Sequence, residues 1–303
     1  MKIGIPRALF YFRYGRFWEK FFQGLGIDYL ISPPTNNDIL QQGLKKVSSE
    51  ICLPIKIICG HIEFLKDKVD HIFLPRFLNL NSGLHTCPKM IGIVDIARIQ
   101  AGSVCKILSP TIKNNFLYPH FITGLKLTKN PVKTINALKN GLPYLSDYPK
   151  ESKINNNQRK ILLLSHFYNL SDDFISKDII NLFQSNNFAI TTKENLSPQI
   201  LNSEQGFAKN IKWVYERELY NAFHYNLDKI DGVCNIISFG CGPDSLISEI
   251  MMKQASEYKL PFLQLVIDEH TSKTGINTRI EAFADIIRRN TNPHSQIPTP
   301  QLQ

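Results

Sequence analysis

Apolar positions along the chain follow two spacings, and each spacing predicts a different kind of element. In the first half, the pattern predicts strands at 2–5, 28–31 and 71–74 and helices at 14–25, 37–47 and 54–66. Regular alternation of strand and helix is typical of βαβ units, so we expect a mostly parallel sheet.

A polar stretch at residues 148–159 separates this half from a second α/β pattern. The second half predicts strands at 160–165, 188–191, 232–239 and 262–267 and helices at 173–183, 213–227, 243–258 and 278–289. A capping box of Thr278 and Glu281 is expected to start the last helix. We therefore predict two Rossmann-like or flavodoxin-like α/β domains, 1–150 and 158–290, as a loose structural duplication, with a disordered tail at 291–303.

Composition and charge narrow the functional classes. The 303 residues are 43% hydrophobic and 20% charged, which is typical of a folded globular protein. The start of the chain has no secretory pattern and no apolar run approaches the roughly 20 residues of a membrane span, so we expect a cytoplasmic protein. The net charge of +9 is scattered and accompanies no nucleic-acid-binding motif, so it does not favour nucleic acid as a partner.

Three of the six cysteines share a local setting, in which a proline follows one or two residues later: Cys52, Cys87 and Cys241. Cys241 lies between a predicted strand and a predicted helix, where ligands of parallel sheets bind, and a helix start favours a thiolate. For Cys52 and Cys87, the residues alone leave buried thiol and ligand equally open.

Apolar neighbours surround the remaining cysteines, Cys59, Cys105 and Cys234, so these are expected to be buried structural thiols. The chain contains no Cys-x-x-Cys pair, and the spacing therefore matches neither a zinc ribbon nor a ferredoxin. A catalytic cysteine paired with His61, His85 or His270 stays open, because nothing in the spacing selects one of them.

The order of several short motifs gives the chain a family resemblance. These motifs lie at Lys2–Leu9, Ser32–Asn36, Cys52–Lys56, Gly60–His61, Phe73–Arg76, Thr86–Lys89, Phe239–Ser245, Asp268–Thr271 and Thr278–Phe283. Between residue 2 and about residue 287, the chain resembles the activase-related domain of the 2-hydroxyacyl-CoA dehydratase superfamily. That superfamily includes 2-hydroxyglutaryl-CoA dehydratase, benzoyl-CoA reductase and double-cubane-cluster proteins.

The resemblance implies a cofactor and its ligands. It implies an iron-sulfur cluster, either [4Fe-4S] or half of a double cubane, held by Cys52, Cys87 and Cys241 at the cleft between the domains. It also suggests residues close to the cluster: Arg7, Lys56, Arg76, Lys89, Gly242, Asp244, Ser245 and Glu269. The basic members would offset cluster charge, with an ordinary surface salt bridge as the alternative, and helix capping is the favoured interpretation of Asp244 and Ser245.

The resemblance also implies partners. The chain has no Gly-x-x-x-x-Gly-Lys-Ser/Thr loop, so an ATP-dependent activase would be a separate protein that supplies a low-potential electron under anaerobic conditions. The chain would pass this electron to a substrate or partner, and an acyl-CoA is the candidate substrate. A homodimer or a heterodimer is the candidate assembly. Two alternatives are a subunit of a 2-hydroxyacyl-CoA dehydratase, which is a lyase, and a non-catalytic scaffold that senses metal or redox state.

Overall fold

The computed structural model describes residues 1–79, 83–145 and 158–290. Its strands are β1 Lys2–Ile5, β2 Asp28–Ile31, β3 His71–Phe73, β4 Arg76–Asn79, β5 Lys106–Leu108, β6 Thr111–Lys113, β7 Arg159–Leu164, β8 Phe188–Thr191, β9 Gly232–Ser238 and β10 Phe262–Ile267. Its α-helices are α1 Tyr11–Gly24, α2 Asn37–Leu44, α3 Leu53–Lys66, α4 Pro88–Ala101, α5 Leu117–Thr128, α6 Pro131–Gly141, α7 Phe167–Leu170, α8 Asp173–Ser185, α9 Pro198–Leu201, α10 Val214–Asn226, α11 Gly242–Glu257 and α12 Lys273–Arg289.

The described residues form two compact units. The first unit comprises residues 1–145 together with 167–175 and 212–214, and the second unit comprises the rest. Two short segments from the second half of the chain therefore belong to the first unit. The predicted boundary stretch lies outside the described residues except for residues 158 and 159, and the predicted tail lies outside them entirely.

Both units contain a four-stranded parallel sheet with the same strand order. The order is β2-β1-β3-β5 in the first unit and β8-β7-β9-β10 in the second. Counted within each unit, both orders place the second strand at one edge and the first strand beside the third. A short parallel pair, β4 and β6, joins the first unit. The predicted fold class, α/β with mostly parallel sheets, is confirmed.

The start of α12 corrects one prediction. Ser272, and not Thr278, is the N-cap residue, and its hydroxyl accepts a hydrogen bond from the N–H of Gly275. The Thr278 hydroxyl lies inside the helix and donates to the Thr274 carbonyl instead. The helix therefore begins five residues before the predicted position. None of the described helices is both long enough and apolar enough to cross a membrane.

Helices α2 and α3 of the first unit cross at two glycines. A Cβ atom placed on Gly43 would lie 1.8 Å from the carbonyl oxygen of Lys56, and one placed on Gly60 would lie 1.9 Å from that of Ile39. Each glycine thus brings its helix into contact with the backbone of the other helix. Because α3 begins directly after Cys52, this crossing fixes the position of the helix that carries that cysteine.

The core of the first unit encloses a fully buried histidine. The imidazole of His120 makes edge contacts with the rings of Phe17 and Phe21. Trp18 Nε1 donates to His120 Nε2 over 3.1 Å, and Nδ1 lies 2.6 Å from the Phe116 carbonyl, to which it donates. This arrangement suits the neutral ring, and burial lowers the pKa of His120 to about 4.

This histidine makes stability depend on pH in the acidic range. The unfolded chain binds a proton at this side chain below about pH 6.5, whereas the folded chain binds it only below about pH 4. Acidification from pH 7 to pH 5 should therefore remove about 2 kcal/mol of the free energy of unfolding through this group. In denaturant titrations at both pH values, His120→Gln should reduce this loss. The exposed His224→Gln should lose as much as the native chain, and equal losses in all three proteins would contradict the assignment.

Candidate functional site

The three cysteines predicted as ligands occupy the same position in their local structures. Cys52, Cys87 and Cys241 are the N-cap residues of α3, α4 and α11, and each helix has a proline in its first two positions. None of the three side chains caps its own helix by a hydrogen bond. The positive end of the helix dipole lies at each thiol, and this position favours the thiolate form that binds metals. Cys52 and Cys87 belong to the first unit and Cys241 to the second.

The other three cysteines are buried thiols, as predicted. Cys59 lies inside α3 and Cys234 inside β9, and Cys105 directly precedes β5. Burial raises the pKa of Cys59 to about 12, and it also raises the pKa of Cys105 and of Cys234. At neutral pH these three side chains are protonated and act as small apolar groups.

The basic residues near the predicted ligands differ in their surroundings. Lys56 is buried in α3 and its ammonium donates to the Ser49 carbonyl over 2.7 Å. Arg76 forms a salt bridge of 2.6 Å with Asp95, which is the alternative that the sequence left open for it. Lys89 lies half-buried in the first turn of α4. The Glu269 carboxylate lies 3.9 Å from the exposed ring of His270.

Arg7 lies two residues after β1, close to a buried polar network of the first unit. Its backbone N–H donates to Ser32 Oγ over 2.8 Å. In the network, the Thr35 hydroxyl donates to Asp172 Oδ2 over 2.6 Å and lies 3.2 Å from His61 Nε2. Burial, reinforced by the positive charge of Arg7, lowers the pKa of His61 to about 3. His61 is therefore neutral near pH 7.

A histidine that the sequence analysis did not name is grouped with Cys241. Strands β7 and β9 are neighbours in the sheet of the second unit, so their carboxyl ends lie side by side. His166 follows β7 by two residues, Cys241 follows β9 by three, and Asp244 lies in the first turn of α11. One ligand atom from each of the three side chains lies within 4.8 Å of the other two.

Buried carboxylates surround His166. Its Nε2 lies 2.8 Å from Asp244 Oδ1 and 3.8 Å from Glu216 Oε1, and the exposed fraction of each of these three residues is 3% or less. Burial alone would lower the pKa of His166, but the charges of Asp244 and Glu216 outweigh it and raise this pKa. Burial also raises the pKa of Glu216. Two carboxyl groups therefore lie within 4 Å of one imidazole, and burial disfavours the charged form of one of them, Glu216.

The surroundings of Cys241 revise the capping prediction for Asp244 and Ser245. Asp244 pairs with His166 and not with a backbone N–H of its own helix, and Ser245 Oγ donates to the Cys241 carbonyl over 2.8 Å. Beside Cys241, a Cβ atom on Gly242 would meet no atom within 4 Å. The residue after Cys241 therefore has room for a side chain.

A chain of side-chain hydrogen bonds fixes α11 on the sheet of the second unit. Asn235 of β9 donates to Ser248 Oγ over 2.9 Å, and this hydroxyl donates to Gln264 of β10 over 2.7 Å. Asn235 and Ser248 are buried, where such bonds hold their groups in one arrangement. The helix that presents Cys241 and Asp244 is therefore anchored to the two strands beneath it.

Comparison with known proteins supplies the family. The model of the family described as CoA enzyme activase uncharacterised domain (DUF2229) matches residues 2–196, more than half of the chain. The match includes Cys52, Cys87 and His166 and ends before Cys241 and Asp244. No curated protein matches the chain. The activase-related part of the expected resemblance is thus supported, and the chain belongs to the CoA enzyme activase uncharacterised domain family.

Proposed function

We propose that the chain binds an iron-sulfur cluster through Cys52, Cys87 and Cys241 and accepts a low-potential electron from an ATP-dependent activase. The observation that carries the proposal is the contrast among the six cysteines. Three are N-cap residues followed by proline, and the other three are not N-cap residues and have thiol pKa values raised by burial. The cysteines that the family resemblance selects are the same three that lie at helix starts.

The donor set suits such a cofactor. Iron-sulfur clusters are held by cysteine thiolates and carry negative charge, and each helix start favours a nearby anion by about 0.3–1 kcal/mol. Three thiolates leave one iron of a four-iron cluster for a ligand from outside the protein, as the resemblance implies. When bound, such a cluster supplies one-electron transfer at low potential. Two of the proposed ligands belong to the first unit and one to the second. The position of the cluster at a cleft stays a prediction, as does the choice between [4Fe-4S] and half of a double cubane.

The family description supports the partner. Because the chain belongs to a family described as a CoA enzyme activase domain, a CoA enzyme and its ATP-dependent activator are the partners that fit best. We propose that the chain passes the electron on to a substrate or partner, with an acyl-CoA as the substrate class. Two basic residues, Arg7 and Lys89, are proposed to offset negative charge at the cluster.

Iron and acid-labile sulfide in anaerobically purified protein test the ligand set. Alanine at Cys52, Cys87 or Cys241 should each remove most of the iron and sulfide, because a cluster that loses one of three protein ligands is poorly retained. The matched controls are alanine at Cys59, Cys105 and Cys234, which should keep the cluster and its visible absorption. If the native chain binds no iron, or if the two sets of variants behave alike, the ligand assignment is wrong.

Electron uptake tests the second half of the proposal. Incubation of the cluster-loaded chain with an activase, ATP and a low-potential reductant should bleach the cluster absorption, whereas ADP should not. Addition of acyl-CoA substrates should then reoxidise the cluster or give a dehydrated product. A loaded cluster that never takes up an electron would contradict the electron-accepting role and favour a scaffold that senses metal or redox state.

A further inference from the structure

We propose that His166, Asp244 and Cys241 form a mononuclear site for a divalent cation of the zinc class, Zn²⁺ or Fe²⁺, in the second unit. The site goes beyond the cluster proposal, because two of its three ligands, His166 and Asp244, are not cluster ligands. Because Cys241 is a ligand in both proposals, the mononuclear site is proposed for the chain that has not yet bound a cluster.

The strand order creates the place for this site. With the order β8-β7-β9-β10, the neighbours β7 and β9 have their crossover connections leading away to opposite sides of the sheet. Such a switch point leaves a crevice at the carboxyl ends of the two strands, where ligands of open α/β sheets bind. His166 and Cys241 follow these two strand ends, and Asp244 lies beside them in the first turn of α11.

The distances suit coordination of a single ion. Ligand atoms that are each bound at about 2.0–2.3 Å lie about 3–3.7 Å from one another around a metal. The three candidate atoms lie within 4.8 Å of one another, and His166 Nε2 and Asp244 Oδ1 are 2.8 Å apart. Only small side-chain movements would bring all three into bonding distance of one ion.

An unsatisfied buried carboxylate indicates that the missing partner is a cation. Asp244 is 2% exposed, and its Oδ2 atom has no hydrogen-bond partner among the described residues. A buried carboxylate oxygen without a partner is costly. Glu216 places a second buried carboxyl group beside the imidazole, and the ammonium of Lys193 lies 2.6 Å from Glu218 and 3.0 Å from Glu194. A divalent cation would balance the negative charge of Asp244 and would be a partner for its Oδ2 atom.

The donor atoms select the kind of cation. One imidazole nitrogen, one thiolate sulfur and one carboxylate oxygen match zinc-class ions, whereas Mg²⁺ and Ca²⁺ require oxygen ligands. On binding, any protons carried by His166 Nε2 and Cys241 Sγ leave to solvent. Three protein ligands leave a fourth position for water. Glu216 Oε1, 3.8 Å from His166 Nε2, is a further acceptor close to the site.

Titration of the anaerobic, metal-free full chain with Co²⁺ tests the site. We expect one equivalent to bind with a thiolate-to-cobalt charge-transfer band and the strong visible bands of four-coordinate cobalt. His166→Gln and Asp244→Asn should weaken binding by about 100-fold or more, since loss of a ligand exceeds the effect of an outer-sphere partner. His224→Gln and Glu249→Gln, both exposed residues of the same unit, are the matched controls and should bind as the native chain does. Thermal unfolding without metal checks that each variant is folded.

Iron and sulfide analysis of the same variants separates this site from the cluster. Cys52→Ala and Cys87→Ala should lose the cluster and keep the cobalt bands, His166→Gln should do the reverse, and Cys241→Ala should lose both. Cobalt binding that ignores His166→Gln, or that lacks the charge-transfer band, overturns the mononuclear site. Loss of iron and sulfide in His166→Gln also overturns it, because the histidine would then belong to the cluster. If Cys52→Ala and Cys87→Ala keep their iron while the cobalt results hold, the cluster proposal alone fails.

Discussion

Gly60→Ala is expected to lower the free energy of unfolding by more than about 3 kcal/mol. The added Cβ would lie 1.9 Å from the carbonyl oxygen of Ile39, and a backbone atom cannot move aside as a flexible side chain can. Helices α2 and α3 must separate to relieve the overlap, and the contacts along their crossing are then lost. Chemical denaturation with circular dichroism measures the change directly.

Gly92→Ala is the matched control, because Gly92 is also in a helix of the same unit but a Cβ there meets no atom within 4 Å. This variant should be neutral or gain up to about 1 kcal/mol from helix propensity. Gly43→Ala should resemble Gly60→Ala, and the double variant should cost less than the two singles together, since one separation of the helices relieves both overlaps. Equal stability of Gly60→Ala and Gly92→Ala would refute the close crossing.

Lys193→Met is expected to destabilise the chain by about 3–5 kcal/mol. The Lys193 ammonium lies 2.6 Å from Glu218 Oε2, and the two side chains are 3% and 6% exposed. Removal of the ammonium takes the counter-charge away from the buried carboxylate of Glu218 on α10 and from that of Glu194, 3.0 Å away. Helix α10 also carries Glu216 beside His166. The free energy of unfolding from urea titration is the measurement.

An exposed ion pair of the same length provides the comparison. Lys273 Nζ also lies 2.6 Å from a carboxylate oxygen, that of Asp178, but these side chains are 83% and 52% exposed. Lys273→Met should therefore cost no more than about 1 kcal/mol. The double variant Lys193→Met with Glu218→Gln should recover part of the loss, because the charge of Glu218 is then removed together with that of Lys193. The Glu194 carboxylate, 3.0 Å from the Lys193 ammonium in the native chain, keeps the recovery partial. If Lys193→Met is as mild as Lys273→Met, burial does not set the strength of the Lys193 pair.

Much of the fold could be predicted from the sequence because its parallel strands are short, mostly apolar runs. The bounds of β2, β8 and β10 agree with the prediction to the residue, since polar or turn-forming residues interrupt the apolar runs there. The first residue of α12 could not be predicted from the sequence, because the hydroxyl of a serine or threonine can either cap a helix or donate to a carbonyl within it. Ser272 does the first and Thr278 the second. The choice depends on the surrounding fold and not on the residue type.

The candidate site was predictable only in part. Cys52 and Cys241 each precede a predicted helix by two residues, whereas no helix was predicted after Cys87, so its position emerges only once α4 has its bounds. His166 was missed because a histidine after a strand gains meaning only when the neighbouring strand is known. Its position two residues after β7 was the available signal, and the order β7-β9 supplied the rest.

The shared strand order allows the residues that follow equivalent strands of the two units to be compared. Arg7 follows β1 by two residues, just as His166 follows β7 by two, and Arg76 follows β3 by three, as Cys241 follows β9. The first unit thus holds two permanent cations at the positions where the second holds an imidazole and a thiol. A guanidinium cannot coordinate a metal ion, whereas an imidazole and a thiolate can. The side chains that follow the strands, and not the shared strand order, therefore set what each unit can bind at these positions.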